Sequence, residues 1–166
     1  MAEKNIIEKI MRKMIAFSEG NIHDIDHLVR VWAYAKTIGR LEGLDGQSQL
    51  VLEAAALVHD IACPSLRKEF GRADGKAQEK VGGPMAKDFL LDSGLSQEQI
   101  ERAAFLVSKH HTFKGDFGAD WQILLEADYI ANACKNGWSE KNAQNFLERA
   151  AKSSAGKELI RQILCR

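Results

Sequence analysis

His59-Asp60 closes the apolar run Ala54-Ala55-Ala56-Leu57-Val58. Such a run belongs in a core, where an unpaired carboxylate is costly, so Asp60 calls for a cation or strong donors. Further residues of ligand type stand at His27 upstream and at His110, His111 and Asp128 downstream. Asp128 lies in Leu124-Leu125-Glu126-Ala127-Asp128-Tyr129-Ile130, a second mostly apolar stretch. Alone, Asp128 reads as a surface position or half of an ion pair. Taken with His27, His59 and Asp60 it reads as part of a metal site carried on helices. Two imidazoles and two carboxylates form a borderline-to-hard ligand set, which suits Mn, Fe, Co, Ni, Mg or Zn better than metals selected by soft thiolates. Four protein ligands on a six-coordinate ion leave positions open for water or a substrate oxygen. Such an ion acidifies bound water and polarises a phosphoryl group, a combination that suits hydrolysis.

Helices must position these residues, because helical periodicity runs through the whole chain. Ile6, Ile7, Ile10, Met11, Met14 and Phe17 follow the three-and-four spacing of one helix face, and Gly20-Asn21 breaks it. A second helix is predicted from about His23 to Glu42, with Leu28, Val31, Trp32, Ala35 and Ile38 inward and Gly43 near its end. A third is predicted over 48–60, stopping before Pro64. Residues 65–80 are polar, contain two glycines and read as a loop with short helical pieces. Further helices are predicted at 81–92, 97–110, 120–136, 139–151 and 155–165, with Ser96 and Gln99 as a capping box. Sustained alternation is lacking. The fold class expected is all-α, a single-domain bundle of about six to eight helices over residues 1–166.

Global properties narrow the function. A chain of 166 residues can bury a real core, and 45% hydrophobic with 28% charged residues is ordinary for a soluble domain. Formal net charge is +0, which gives no support to general nucleic-acid or anionic-membrane binding. Cys63, Cys134 and Cys165 are too few and too scattered for a disulfide framework, so reduced thiols in a cytoplasm are expected. The start MAEKNIIEKIMRKMIAF is charged throughout, unlike a signal peptide, and no stretch reads as a membrane span.

The order His27, then His59-Asp60, then Asp128 resembles the H…HD…D signature of the HD-domain metal-dependent phosphohydrolases. Asp26-His27-x-x-Arg30-Val31 is similar to the first motif helix of that family, and Ala55-Ala56-Leu57-Val58-His59-Asp60-Ile61 to its second. Lys109-His110-His111 and Glu126-Ala127-Asp128-Tyr129 resemble its third and fourth blocks, so the similarity spans residues 20–135. The resemblance implies that His27, His59, Asp60 and Asp128 ligate one divalent metal, with the C-terminal helices packed on the motif-bearing core. Relatives with two metals supply extra histidines between the His-Asp pair and the last aspartate. Here no histidine occurs between residues 60 and 109, which argues against a second fully His-ligated ion. Ile61-Ala62-Cys63-Pro64 lacks the acidic pair of the alarmone hydrolases.

Residues around the ligands supply the remaining candidates. The stretch from Gly71 to Pro84 is similar to one in a bacterial subgroup of small HD proteins, and reads mainly as a glycine-rich surface loop. Within it, Lys76, Gln78 and Glu79 could reach over the site, the lysine to bind phosphate and the glutamate to orient water. Lys68 and Arg72 read as solvated. Arg30 suits either a ligand carboxylate or a phosphate. His110 is expected to face the substrate as phosphate binder or proton donor, while His111 packs or caps the helix end. His23, a helical turn before His27, is expected at the pocket edge. Trp32, Trp121 and Trp138 read as packing anchors, and Cys63 as a small buried thiol.

The catalytic candidates are therefore Asp60, His110, Lys76 and Glu79. The expected partner is a small phosphorylated compound, with nucleotides among the candidates, acted on by a monomer or homodimer. The rival reading is a non-catalytic module on the same helical scaffold that senses a metal or a nucleotide.

Overall fold

A computed structural model describes residues 5–166; the first four residues of the charged N-terminal start lie outside the described residues. The described residues form nine α-helices and no strand: α1 (Ile6–Phe17), α2 (Ile22–Leu41), α3 (Gly46–Val58), α4 (Cys63–Phe70), α5 (Gly75–Leu90), α6 (Gln97–Lys109), α7 (Ala119–Asn136), α8 (Glu140–Arg149) and α9 (Ser154–Leu164). The all-α expectation holds, with one helix more than the sequence suggested. That extra helix is α4. α3 stops before Pro64 as expected, and Pro64 sits in the first turn of α4, where its missing N–H costs nothing, while Gly71 ends α4 with a left-handed φ of 74°.

Two helices fill the middle. Every residue from Val51 to Val58 of α3 is buried, and so is nearly all of α7 from Asp120 to Ala131. α2 packs on both, α1 and α6 on α3, and α9 on α7. One contiguous core joins Val31, Ala35, Ile38, Leu52, Leu57, Leu106, Leu124 and Ile130. The segment Gly46–Phe70 is long and apolar enough to cross a bilayer, contrary to the reading of the sequence; most of it is buried here, as a core helix would be.

α5 begins at Gly75, earlier than the periodicity suggested, because the Asp74 side chain caps it by accepting from Ala77 N at 2.9 Å. Gly82 and Gly83 continue this helix instead of breaking it. A Cβ on Gly83 would stand 3.2 Å from Ala104 O and from Ser108 Cβ, so the small residues let α5 lie against α6 at close range. That contact orients the end of α6, where His110 stands.

Candidate metal centre

α2, the end of α3, the end of α6 and the middle of α7 converge on one polar cluster. His27 lies on the buried face of α2 beside Leu28 and Val31. Asn21 starts that helix, its side chain accepting from Asp24 N at 3.3 Å. His59 is the C-terminal cap of α3, and Asp60 follows in a tight turn whose carbonyl accepts from Cys63 N at 2.9 Å. That turn lets two adjacent residues aim at one point, although their side chains would diverge by about 100° on a continuing helix. Asp128 comes from α7, and His110 caps α6.

His27 Nε2 lies 3.2 Å from His59 Nε2, 3.2 Å from Asp60 Oδ2 and 3.2 Å from Asp128 Oδ1. His59 Nε2 is 3.5 Å from Asp60 Oδ2 and 3.3 Å from Asp128 Oδ1. Metal–nitrogen and metal–oxygen bonds of about 2.1 Å imply ligand–ligand edges of about 3.0 Å in an octahedron and about 3.4 Å in a tetrahedron. The observed spacings fall close to that range, so His27, His59 and Asp128 could hold a single divalent ion, with Asp60 Oδ2 within 3.5 Å of both histidine nitrogens. His59, Asp60 and His110 form an overlapping group of close ligand atoms. It shares His59 with the group of His27, His59 and Asp128 and, through Asp60, widens the same centre towards α6.

Hydrogen bonds fix the imidazoles. His59 Nδ1 is 2.7 Å from Ala56 O, and His110 Nδ1 is 2.7 Å from Val107 O. A carbonyl only accepts, so both protons sit on Nδ1 and both Nε2 atoms point into the cluster. Among the described residues His110 Nε2 is buried without a hydrogen-bond partner, 3.4 Å from Asp60 Oδ1. A buried nitrogen of that kind needs a proton, a ligand or a substrate atom to satisfy it.

Without a metal the cluster would hold protons in its place. Burial alone would lower the His27 pKa, but the Asp128 and Asp60 carboxylates outweigh it and raise it to about 9. His110 is raised for the same reason, burial being overcome mainly by Asp60. Burial pushes Asp60 and Asp128 up, yet the surrounding histidines hold both well below the usual carboxylate range. Burial, then the neighbouring His110, lowers His111 to about 4, so it is neutral at pH 7.

The other sequence candidates have more varied positions. His111 turns away from the ligands: its Nε2 is 2.7 Å from Gln78 Oε1, and its ring packs on His110 with centroids 3.9 Å apart. Glu79 Oε1 accepts from His111 N at 3.1 Å and from Thr112 Oγ1 at 2.7 Å. Glu79 therefore braces the chain leaving α6, a different task from orienting a water. Lys76 on the first turn of α5, Lys68 on α4 and Arg72 are all exposed, and none lines the cavity that His27 shares with Asp60 or the one it shares with Arg30. His23 and Arg30 are exposed and share a cavity with His27. Cys63 is buried; burial and the Asp60 charge push its thiol pKa up, which leaves no thiolate for nucleophilic work. Trp121 is a core anchor donating to Lys109 O at 2.9 Å, and Trp32 donates to Glu53 Oε2 at 3.0 Å. Trp138 is no core residue, being 41% exposed, but its ring packs on Tyr129 with centroids 5.6 Å apart.

Two positioning residues were missed by the sequence reading. Asn132 Nδ2 donates to Asp128 Oδ1 at 2.9 Å, one helical turn on, and so holds the carboxylate oxygen that faces both histidines. The i, i+4 spacing was the available signal. Arg67 pairs with Asp24 and ties α4 to the first turn of α2, beside the open edge of Asp60. No sequence spacing joins residues on such distant helices.

The family model described as HD domain matches residues 24–135, which contain every ligand candidate. Among solved structures, the crystal structure of Bacillus subtilis YpgQ is similar, with a TM-score of 0.64 at 19% identity, covering 98% of this chain and 90% of that one. At that identity the likeness is one of fold. A comparison with curated proteins finds no match.

Proposed function

This chain belongs to the HD-domain family, a superfamily of metal-dependent hydrolases, and on that premise we propose that it hydrolyses a phosphate ester or anhydride of a small molecule, with nucleotides among the candidates. The observation that carries the reading is the convergence of His27, His59, Asp60 and Asp128, in which the two histidine nitrogens stand 3.2 Å from each other and 3.2–3.5 Å from both carboxylates. These residues would hold one divalent ion, which when bound supplies Lewis-acid polarisation of a phosphoryl oxygen and acidification of a water.

The chain's own groups divide the remaining work. Asp60 is the most open member, its side chain 25% exposed, so substrate meets the centre on that side. Held ionised, it accepts a hydrogen bond from the attacking water and orients it. His110, whose pKa is raised, carries a proton on the nitrogen that faces Asp60 and can give it to a phosphoryl or leaving-group oxygen. The apolar walls of α3 and α7 keep bulk water away from the rear of the cluster.

The test is phosphate release from a panel of nucleotides and sugar phosphates. Chelator-stripped protein should release none and recover with a divalent metal. Protein that binds its metal yet hydrolyses nothing in the panel would transfer the reading to a non-catalytic sensing module.

A further inference from the structure

Beside His27, the seam between α2 and α7 opens into a cavity of about 100 Å³ lined by His23, Asp26, His27, Arg30, Ala131 and Lys135. Helical spacing explains the lining. His23, His27 and Arg30 share one face of α2, and Ala131 and Lys135 follow Asp128 by about one and two turns on α7. The cavity therefore continues along the same helix faces that carry two of the metal ligands.

Its charge is distinctive. Arg30 and Lys135 are both exposed, and among the described residues neither forms an ion pair with a carboxylate. Asp26 is the acidic residue of the lining, so two cations face one carboxylate. The ring of His23 adds an N–H donor at the edge in either protonation state. A wall of that kind attracts an anion. Arg30 presents a planar fork matched to paired oxygens, and Lys135 a compact charge. The space is well below the roughly 300 Å³ of a pocket for a whole drug-sized ligand. It takes one group of a larger molecule.

We propose that this α2–α7 cavity binds a second anionic group, phosphoryl or carboxylate, of the molecule whose scissile phosphoryl lies at the metal centre. His27 is common to the cavity wall and the ligand set, which makes one molecule able to reach both. The substrates are then compounds with two anionic groups, and Arg30 and Lys135 determine specificity. The word substrate rests on the hydrolase reading; the anion affinity of the cavity does not.

The test has a binding arm and a kinetic arm. Calorimetry with inorganic phosphate and the full-length, metal-free protein at low salt should show affinity falling at least about tenfold, about 1.4 kcal/mol, in the Arg30→Gln/Lys135→Gln double variant. Lys114→Gln, outside the cavity, should leave it unchanged. In the metal-loaded enzyme, kcat/KM is compared for a sugar monophosphate, the matching bisphosphate and a monophosphate bearing a carboxylate. The double variant should lose about tenfold more on a doubly anionic compound than on the monophosphate; which of the two compounds shows this names the group. Equal phosphate affinity in wild type and double variant, with equal effects on all three compounds, overturns the cavity's role. Phosphate binding that depends on Arg30 and Lys135, in a protein that hydrolyses nothing, supports the anion site and rejects the hydrolase reading instead.

Discussion

Asp60 Oδ1 and His110 Nε2 face each other at 3.4 Å, and with Nδ1 already committed to Val107 O, a neutral His110 would set lone pair against lone pair. A proton or a substrate atom resolves that conflict, which is why His110 belongs to the chemistry as well as to the helix end. His110→Gln should keep the bound metal of the wild type while lowering kcat by roughly 10²- to 10⁴-fold, the usual contribution of a general acid. Metal content by atomic spectroscopy and turnover on one substrate check it; full turnover removes His110 from the mechanism. The ligands themselves were legible because burying an ionisable side chain in an apolar run demands a reason. Asn132 was not, since an amide beside charged neighbours looks the same whether it faces water or braces a ligand. Glu79 misled for the converse reason: its position in the chain suggested reach, but its oxygen is committed to His111 and Thr112.

The same ambiguity recurs in whole helices. Gly82-Gly83-Pro84 falls both at the end of a stretch that reads as a loop and at the start of a helix predicted over 81–92, and all three residues lie inside α5. What the sequence cannot display is the partner surface: the backbone of Ala104 and the side chain of Ser108 leave no room for a β-carbon larger than contact allows. Pro84 removes a donor to the carbonyl of Lys80, an exposed residue where water can take its place. Gly83→Leu should therefore destabilise the protein by about 1–3 kcal/mol through overpacking, read from denaturant midpoints. A variant as stable as wild type would mean that α5 and α6 part easily. The longer periodic helices were read to within a few residues, because a burial stripe survives any uncertainty about neighbours.

For the whole molecule, the cluster links stability to pH and metal. His27 has a pKa of about 9 against an ordinary 6.5, so its contribution to metal-free stability is complete below 6.5 and is lost as pH rises through 9. Asp60 and Asp128 act oppositely: their contribution is present above the ordinary 3.8 and is lost in acid. Metal-free protein should thus melt at a lower temperature at pH 9 than at pH 6. Added divalent metal should raise the midpoint more at pH 9, because the ion binds the deprotonated imidazoles. Melting curves at both values with and without metal test this, and parallel curves would contradict it. One arrangement extends that linkage beyond charge. His59 and His110 each terminate a helix by donating to the carbonyl three residues back while directing the opposite ring nitrogen at the centre. For His59 the last turn of α3 and the ion would thereby form one cooperative unit, in which losing that ligand and fraying that helix are the same event, while His110 ties the end of α6 to the proton it carries.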